Sequence, residues 1–303
     1  MTHAGSSAIS SAISSVIVTG VSSGIGEGIA HHFIAKGYRV FGSVRKEADA
    51  DRLQHTLGDY FVPLVFDVRD RPAIERSVQQ VSEVLNGDSV IALINNAGLA
   101  LFGPLECLDA DAFEEIVLVN LVGARNVTSA FLPLLRASQA NIKSRSSINS
   151  KIVNISSLSG ILNTPMNGAY CISKHAMESM GEIFRRELKP AGIGVHSIRS
   201  GPVQSEIWRK NDSGDYQYDD KHYQIMSENA QSIMRSAAED AIPASEIAQL
   251  TLDIVEGRKR RLSYEVSRGA RAAVILSSWM PTRLADWLIV RAMMKPLKDS
   301  SSI

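Results

Sequence analysis

Short, almost wholly apolar runs alternate with longer segments of helical periodicity along most of this 303-residue chain. The apolar runs are Val16–Thr19, Arg39–Val44, Phe61–Phe66, Val90–Ile94, Lys151–Ile155, Gly194–Arg199 and Leu262–Val266. They are short and rich in β-branched residues, as strands are. Ile25–Lys36, Pro72–Leu85, Ala112–Arg136, Ala169–Leu188 and Ala244–Glu256 run past ten residues and read as helices. Strand and helix in alternation call for parallel strands joined by helical crossovers. Strands without a polar face fit a sheet covered on both sides. The expected fold is α/β, a doubly wound parallel sheet of about seven strands with helices on both faces.

Two segments interrupt the rhythm. Ser138–Ser150 is Ser-rich and reads as a polar surface connector. Ser205–Asp240 shows no clear periodicity but holds Trp208, Tyr216, Tyr218, Tyr223 and Met226, which suits a lid with an apolar wall. No linker divides the chain, so one domain is expected over 16–266, between a Ser-rich stretch at 1–15 and an extension at 267–303. Lys+Arg and Asp+Glu number 32 each, and a zero net charge argues against a nucleic-acid partner. Cys107 and Cys171 have no metal-like spacing, so no metal is expected, and two scattered thiols fit the cytoplasm. There is no signal-peptide pattern and no uninterrupted run of about 18 apolar residues.

The first strand runs into Thr19-Gly20-Val21-Ser22-Ser23-Gly24-Ile25-Gly26 and then a helix. Glycines allow a tight turn and close approach of a pyrophosphate, and the helix start offers free amides. The same sequence also suits a plain strand–helix turn. Arg45 follows the second strand, where an acidic residue would bind the ribose of NAD. A basic residue there suits the 2′-phosphate of NADP, and equally a solvated loop. Asp67 ends the next strand and could accept from an adenine amino group or cap the following helix. Asn95-Asn96-Ala97-Gly98 places small residues at the carboxyl end of the fourth strand. Tyr170 and Lys174, at i and i+4, share a helix face. A free phenol has a pKa of about 10, and lowering it to about 7 takes roughly 4 kcal/mol, a task the Lys174 charge suits. Ser157 ends a strand thirteen residues upstream of Tyr170.

These residues resemble the short-chain dehydrogenase/reductase family in its single-domain form. The shared motifs are Gly20-x-x-x-Gly24-x-Gly26, Asn95-Asn96-Ala97-Gly98, Asn120, Asn154-Ile-Ser-Ser157, Tyr170-x-x-x-Lys174 and Gly201-Pro202-Val203. The likeness spans about Val16 to Val266 and implies a Rossmann-type fold. It implies Tyr170 as acid/base, Ser157 as carbonyl anchor, Lys174 on the nicotinamide ribose and Asn120 holding a water in a proton relay. Gly20, Ser22, Ser23, Gly24, Ile25, Gly26, Arg45, Asp67, Val68, Asn96, Ala97, Gly98, Pro202, Val203 and Ser205 would contact the cofactor. Ser200 and Ser205 stand where the family often has Pro and Thr. The implied activity is hydride transfer between NADP, or else NAD, and a carbonyl or secondary alcohol of a mid-sized apolar substrate. A non-catalytic dinucleotide sensor on the same fold is the competing class.

Ile116, Phe131, Met177, Met180 and Phe184 exceed what one sheet face needs, so pairing of their helices into a dimer or tetramer is expected. The tail carries Trp279, Leu284, Trp287, Leu288, Arg283, Arg291 and Lys295, with Pro281 splitting it into two helical pieces. Such a tail suits an anionic membrane surface, packing over the substrate mouth, or a second subunit.

Overall fold

The structure, a computed structural model, describes residues 13–143, 149–204, 218–267, 274 and 279–295. Seven strands form one parallel sheet: β1 (Ser14–Val18), β2 (Arg39–Val44), β3 (Phe61–Val65), β4 (Ser89–Asn95), β5 (Lys151–Ser157), β6 (Gly194–Ser200) and β7 (Ser263–Val266). Their order is β3-β2-β1-β4-β5-β6-β7. The chain leaves β1 towards β2 on one side and later returns to β4 on the other. The carboxyl ends of β1 and β4 therefore flank the point where winding reverses and a crevice opens. Every residue of β5 is buried, its polar Lys151, Asn154, Ser156 and Ser157 included.

The helices are α1 (Gly24–Ala35), α2 (Glu47–Leu57), α3 (Arg71–Leu85), α4 (Ala110–Val117), α5 (Ala124–Lys143), α6 (Gly168–Leu188), α7 (Lys221–Glu239), α8 (Ala244–Val255) and α9 (Thr282–Met293). One buried cluster joins α1, α2 and α8 to the sheet through Ile29, Phe33, Leu53, Ile247 and Leu252. A second joins α3 and α5 through Ile74, Val81, Val127, Phe131 and Leu135 to the opposite face. Between α4 and α5 the segment Leu118–Gly123 winds as a π-helix, so the expected single helix Ala112–Arg136 is three pieces. The stretch Ala110–Ala140 is apolar and long enough to cross a membrane, yet half of its most apolar window is buried within the fold.

Three expectations need correction. Ser138–Lys143 is the end of α5 and not a connector. Ser138 and Gln139 are buried there, taking hydrogen bonds from the amides of Val90 and Ser150, which ties α5 to the sheet. Within Ser205–Asp240, residues 205–217 lie outside the described ones, and the rest is largely the regular helix α7. Ile116, Phe131 and Met177 are buried within the chain and form core, while the exposed apolar residues of those elements are Leu118, Ile172 and Ile183.

Candidate active site

A cleft opens at the carboxyl ends of the strands. The turn after β1 forms one wall. Gly20 has a φ of +69°, and a Cβ there would lie 2.9 Å from the Ala97 Cα, so only glycine fits. At Gly26 a Cβ would meet the Gly20 carbonyl at 2.2 Å, which lets α1 start tight against the turn. Asn96 ties the turn to β4. Its Nδ2 donates to the carbonyls of Thr19 and Gly20, each at 2.9 Å, while the Thr19 hydroxyl accepts from the amides of Asn96 and Ala97. The Ser43 hydroxyl takes the Gly20 amide at 3.1 Å. Arg52 of α2 grips the Ser22 carbonyl and Glu27, each at 2.7 Å.

The same cleft holds Ser157, Tyr170 and Lys174. β5 delivers Ser157, and the first turns of α6 deliver the other two. The Lys174 ammonium donates to the Ile155 carbonyl at 2.9 Å and lies 5.6 Å from the Tyr170 ring centroid. Burial pushes the Lys174 pKa down to about 8, with Glu178 one turn further opposing it. Burial also pushes the Tyr170 phenol up to about 12, with a hydrogen bond from Ser157 opposing. This burial works against the lowering of the phenol expected from Lys174. Burial is the largest influence on both groups, raising the phenol and lowering the lysine.

Asn120 sits in the π-helical segment, fully buried. Its Oδ1 accepts from the Leu99 amide at 2.7 Å, and its Nδ2 donates to the Leu99 carbonyl and the Ser173 hydroxyl. One amide hydrogen thus fixes the loop after β4 and the other ties the segment to α6. Asn95 makes a second buried tie, donating to Thr128 and Asn154 at 2.9 Å each. Glu178 accepts from Ser197 and from Arg199, which also reaches Glu265.

Of the residues singled out from sequence, Gly20, Ser22, Ser23, Gly24, Ile25, Arg45, Asp67, Val68, Asn96, Ala97, Gly98 and Val203 line this same cleft. Gly26, Asn120 and Pro202 stand behind its wall, and Ser205 lies outside the described residues. Sequence reasoning missed Ser43, Val44, Phe66, Leu99, Ala100, Val119 and Ile155, which also line it. Ser43, Val44, Phe66 and Ile155 carried a signal in their position at or near a strand's carboxyl end.

The cleft has the features a dinucleotide needs. The glycine cradle admits close approach. Ser23, the N-cap of α1, makes no side-chain cap, unlike Asp70 of α3 and Asp109 of α4. Arg45 is exposed at the rim and pairs with no described carboxylate. Asp67 does not cap α3, since Asp70 does; both its oxygens are held by Arg69, which keeps its carboxyl below the usual range. Two residues beyond the lining Ala100 and four before Tyr170, Phe102 and Met166 join Ala230 and Met293 in an apolar cluster with Tyr218, Met226 and Met234 packed around it. The Tyr223 ring lies 6.3 Å from that of Tyr218.

Comparison with known proteins agrees with this geometry. The family model described as short chain dehydrogenase matches residues 14–215. An NADPH-dependent 3-dehydrocapnine reductase from Ornithobacterium rhinotracheale is 33% identical over 275 residues, covering 90% of this chain and 94% of the relative. The human 17-beta-hydroxysteroid dehydrogenase type 6 is 27% identical, covering 88% and 85%. A short-chain dehydrogenase structure from Streptomyces avermitilis superposes with a TM-score of 0.74 at 24% identity, over 95% of this chain and all of that one. One from Burkholderia cenocepacia, in complex with NADP, gives 0.69 at 22%, over 92% and 98%. With its glycine turn, its parallel sheet and its Tyr170–Lys174 pair in one cleft, this chain belongs to the short-chain dehydrogenase family of oxidoreductases.

Proposed function

We propose that the protein is an NADPH-linked reductase of a mid-sized apolar ketone or aldehyde. The observation that carries this reading is the buried Tyr170 phenol, hydrogen-bonded to Ser157 and sharing the cleft with Lys174. A phenol held up to about 12 keeps its proton until a stronger base arrives. The oxygen of a carbonyl under reduction is that base. When bound, NADPH supplies the hydride to the carbonyl carbon. The Ser157 hydroxyl orients the carbonyl oxygen, and Tyr170 gives that oxygen its proton. The phenolate left behind lies near the Lys174 ammonium, which stabilises it and, with its own pKa brought near 8, can return the proton. Asn120 serves here as the residue that fixes the Leu99 loop; a relay water would use its remaining lone pair or its carbonyl.

Arg45 supports NADP over NAD. It is an exposed cation that lines the same cleft as Ser22 and Ser23, with no acidic residue ending β2. The relative that reduces 3-dehydrocapnine with NADPH supports both the coenzyme and the direction. The cluster around Phe102, Met166 and Met226 supports an apolar substrate. Exposed Leu118, Ile172 and Ile183 support pairing of subunits through the helices that carry the site. Cys107 and Cys171, both free thiols, fit a cytoplasmic setting. The test is oxidation of NADPH and of NADH against a panel of ketones, aldehydes and small polyols. Turnover with NADPH and the larger apolar ketones is expected. Activity confined to NADH, or to small polyols, would overturn the reading.

A further inference from the structure

Helix α9 stands almost wholly in solvent. Of its twelve residues only Met293 is buried. Leu284, Trp287, Leu288 and Arg291 recur at i, i+3, i+4 and i+7 and so share one face. Leu284, Trp287 and Leu288 are exposed on it, and the Arg291 guanidinium lies 5.0 Å from the centre of the Trp287 ring. Val290 beside them is exposed too, and Trp279, just ahead of Pro281, is 85% exposed. A surface this apolar marks something that covers it.

Charge identifies the cover. Between residues 279 and 295 the cations are Arg283, Arg291 and Lys295, all exposed, against the single carboxylate of Asp286. A second copy docked about a two-fold axis would set Arg291 faces of the same sign against each other. A bilayer with anionic head groups meets both needs: tryptophan and leucine enter the head-group boundary, while arginine reaches phosphate. We propose that α9 docks this protein on the surface of an anionic phospholipid bilayer.

The attachment of α9 gives the docking a consequence. Asn229 of α7 donates to the carbonyls of Met293 and Lys295, at 3.0 and 2.9 Å. Met293 itself packs into the cluster of Phe102, Met166 and Ala230. The docking helix is thus fastened to the apolar cluster whose Phe102 and Met166 lie within four residues of the cleft-lining Ala100 and Tyr170, and docking brings that cluster to the membrane. Delivery of an apolar ketone from the bilayer follows, a step that rests on the reductase reading.

The test is flotation of the full-length protein with vesicles of phosphatidylcholine alone, or mixed equally with phosphatidylglycerol, at low and raised salt. Binding is expected only to the mixed vesicles, and weaker in salt. Arg283→Gln with Arg291→Gln should weaken it about 30-fold, from the usual gain per basic residue near such a surface. Trp287→Ser with Leu288→Ser should remove it, while turnover of a water-soluble ketone stays at the wild-type level. No flotation with mixed vesicles at low salt would overturn the docking face. So would flotation that neither pair of substitutions changes. If the Trp287 pair instead dissolves a dimer seen by light scattering, and the wild type ignores vesicles, a second copy covers the helix. Vesicle binding through α9 without turnover of any carbonyl would sink the reductase reading alone, and turnover without vesicle binding would sink the docking alone.

Discussion

Replacing Lys174 with methionine should make the protein more stable at neutral pH and far less active. Lys174 is 4% exposed, and burial lowers its pKa from 10.5 to about 8. That shift sets roughly 3 kcal/mol against the charged form in the folded state. Methionine keeps the length of the side chain and removes the charge. It also removes the donor to the Ile155 carbonyl, which returns about 1 kcal/mol, so a net gain of about 2 kcal/mol is expected at pH 7. The sign of the pH dependence follows from linkage. A lysine with a depressed folded pKa burdens the folded state in full below pH 8, and the burden fades between pH 8 and 10.5 as the unfolded lysine also loses its proton. The advantage of Lys174→Met should therefore shrink by about 1 kcal/mol at pH 9 and by more than 2 kcal/mol at pH 10. Urea denaturation of both proteins across this range measures the difference, and groups common to both cancel. A variant less stable than wild type at pH 7, or an advantage that does not change with pH, would refute the reasoning. Turnover should fall about 10²-fold or more.

Three further perturbations probe the cleft and the residues that support it. Arg45→Asp should weaken NADPH binding about 10- to 100-fold, the worth of a charge-assisted phosphate contact, and leave NADH nearly unchanged; titration calorimetry with both coenzymes checks this. Gly26→Ala puts a methyl within 2.2 Å of the Gly20 carbonyl, so coenzyme binding should be lost with the sheet intact by circular dichroism. Glu178→Gln leaves Arg199 with Glu265 alone and removes the carboxylate that favours the charged Lys174; stability should drop by about 1–3 kcal/mol, and a pH–rate limb governed by Lys174 should move to lower pH.

The sheet was legible because buried parallel strands leave an unbroken apolar signature, and all seven fall within two residues of where the sequence places them. Helix α2 was not. Only Ala50 and Leu53 of its eleven residues are buried, so it carries too narrow an apolar stripe to register. Helix α7 was hidden for a related reason. Its inner face mixes Met226 and Ala230 with buried Ser227 and Asn229, and the polar pair, one of them capping α9, masks the period. Ser138 and Gln139 misled for the same cause, as polar residues bonded inside the fold. The site was legible as a set of motifs because each sits at the carboxyl end of a strand. Its electrostatics were not, because i, i+4 spacing gives proximity and says nothing of burial. Burial decides the Tyr170 and Lys174 pKa values here.

The central claim is that Tyr170 hands its proton to a carbonyl oxygen. Tyr170→Phe removes that proton and little else, since the ring, the glycine turn and Arg45 remain. Single-turnover oxidation of NADPH with an apolar ketone, run beside coenzyme binding, isolates the step. The account predicts a rate lower by about 10²–10⁴-fold with coenzyme affinity within a few-fold of wild type. Turnover near the wild-type rate in Tyr170→Phe would contradict it.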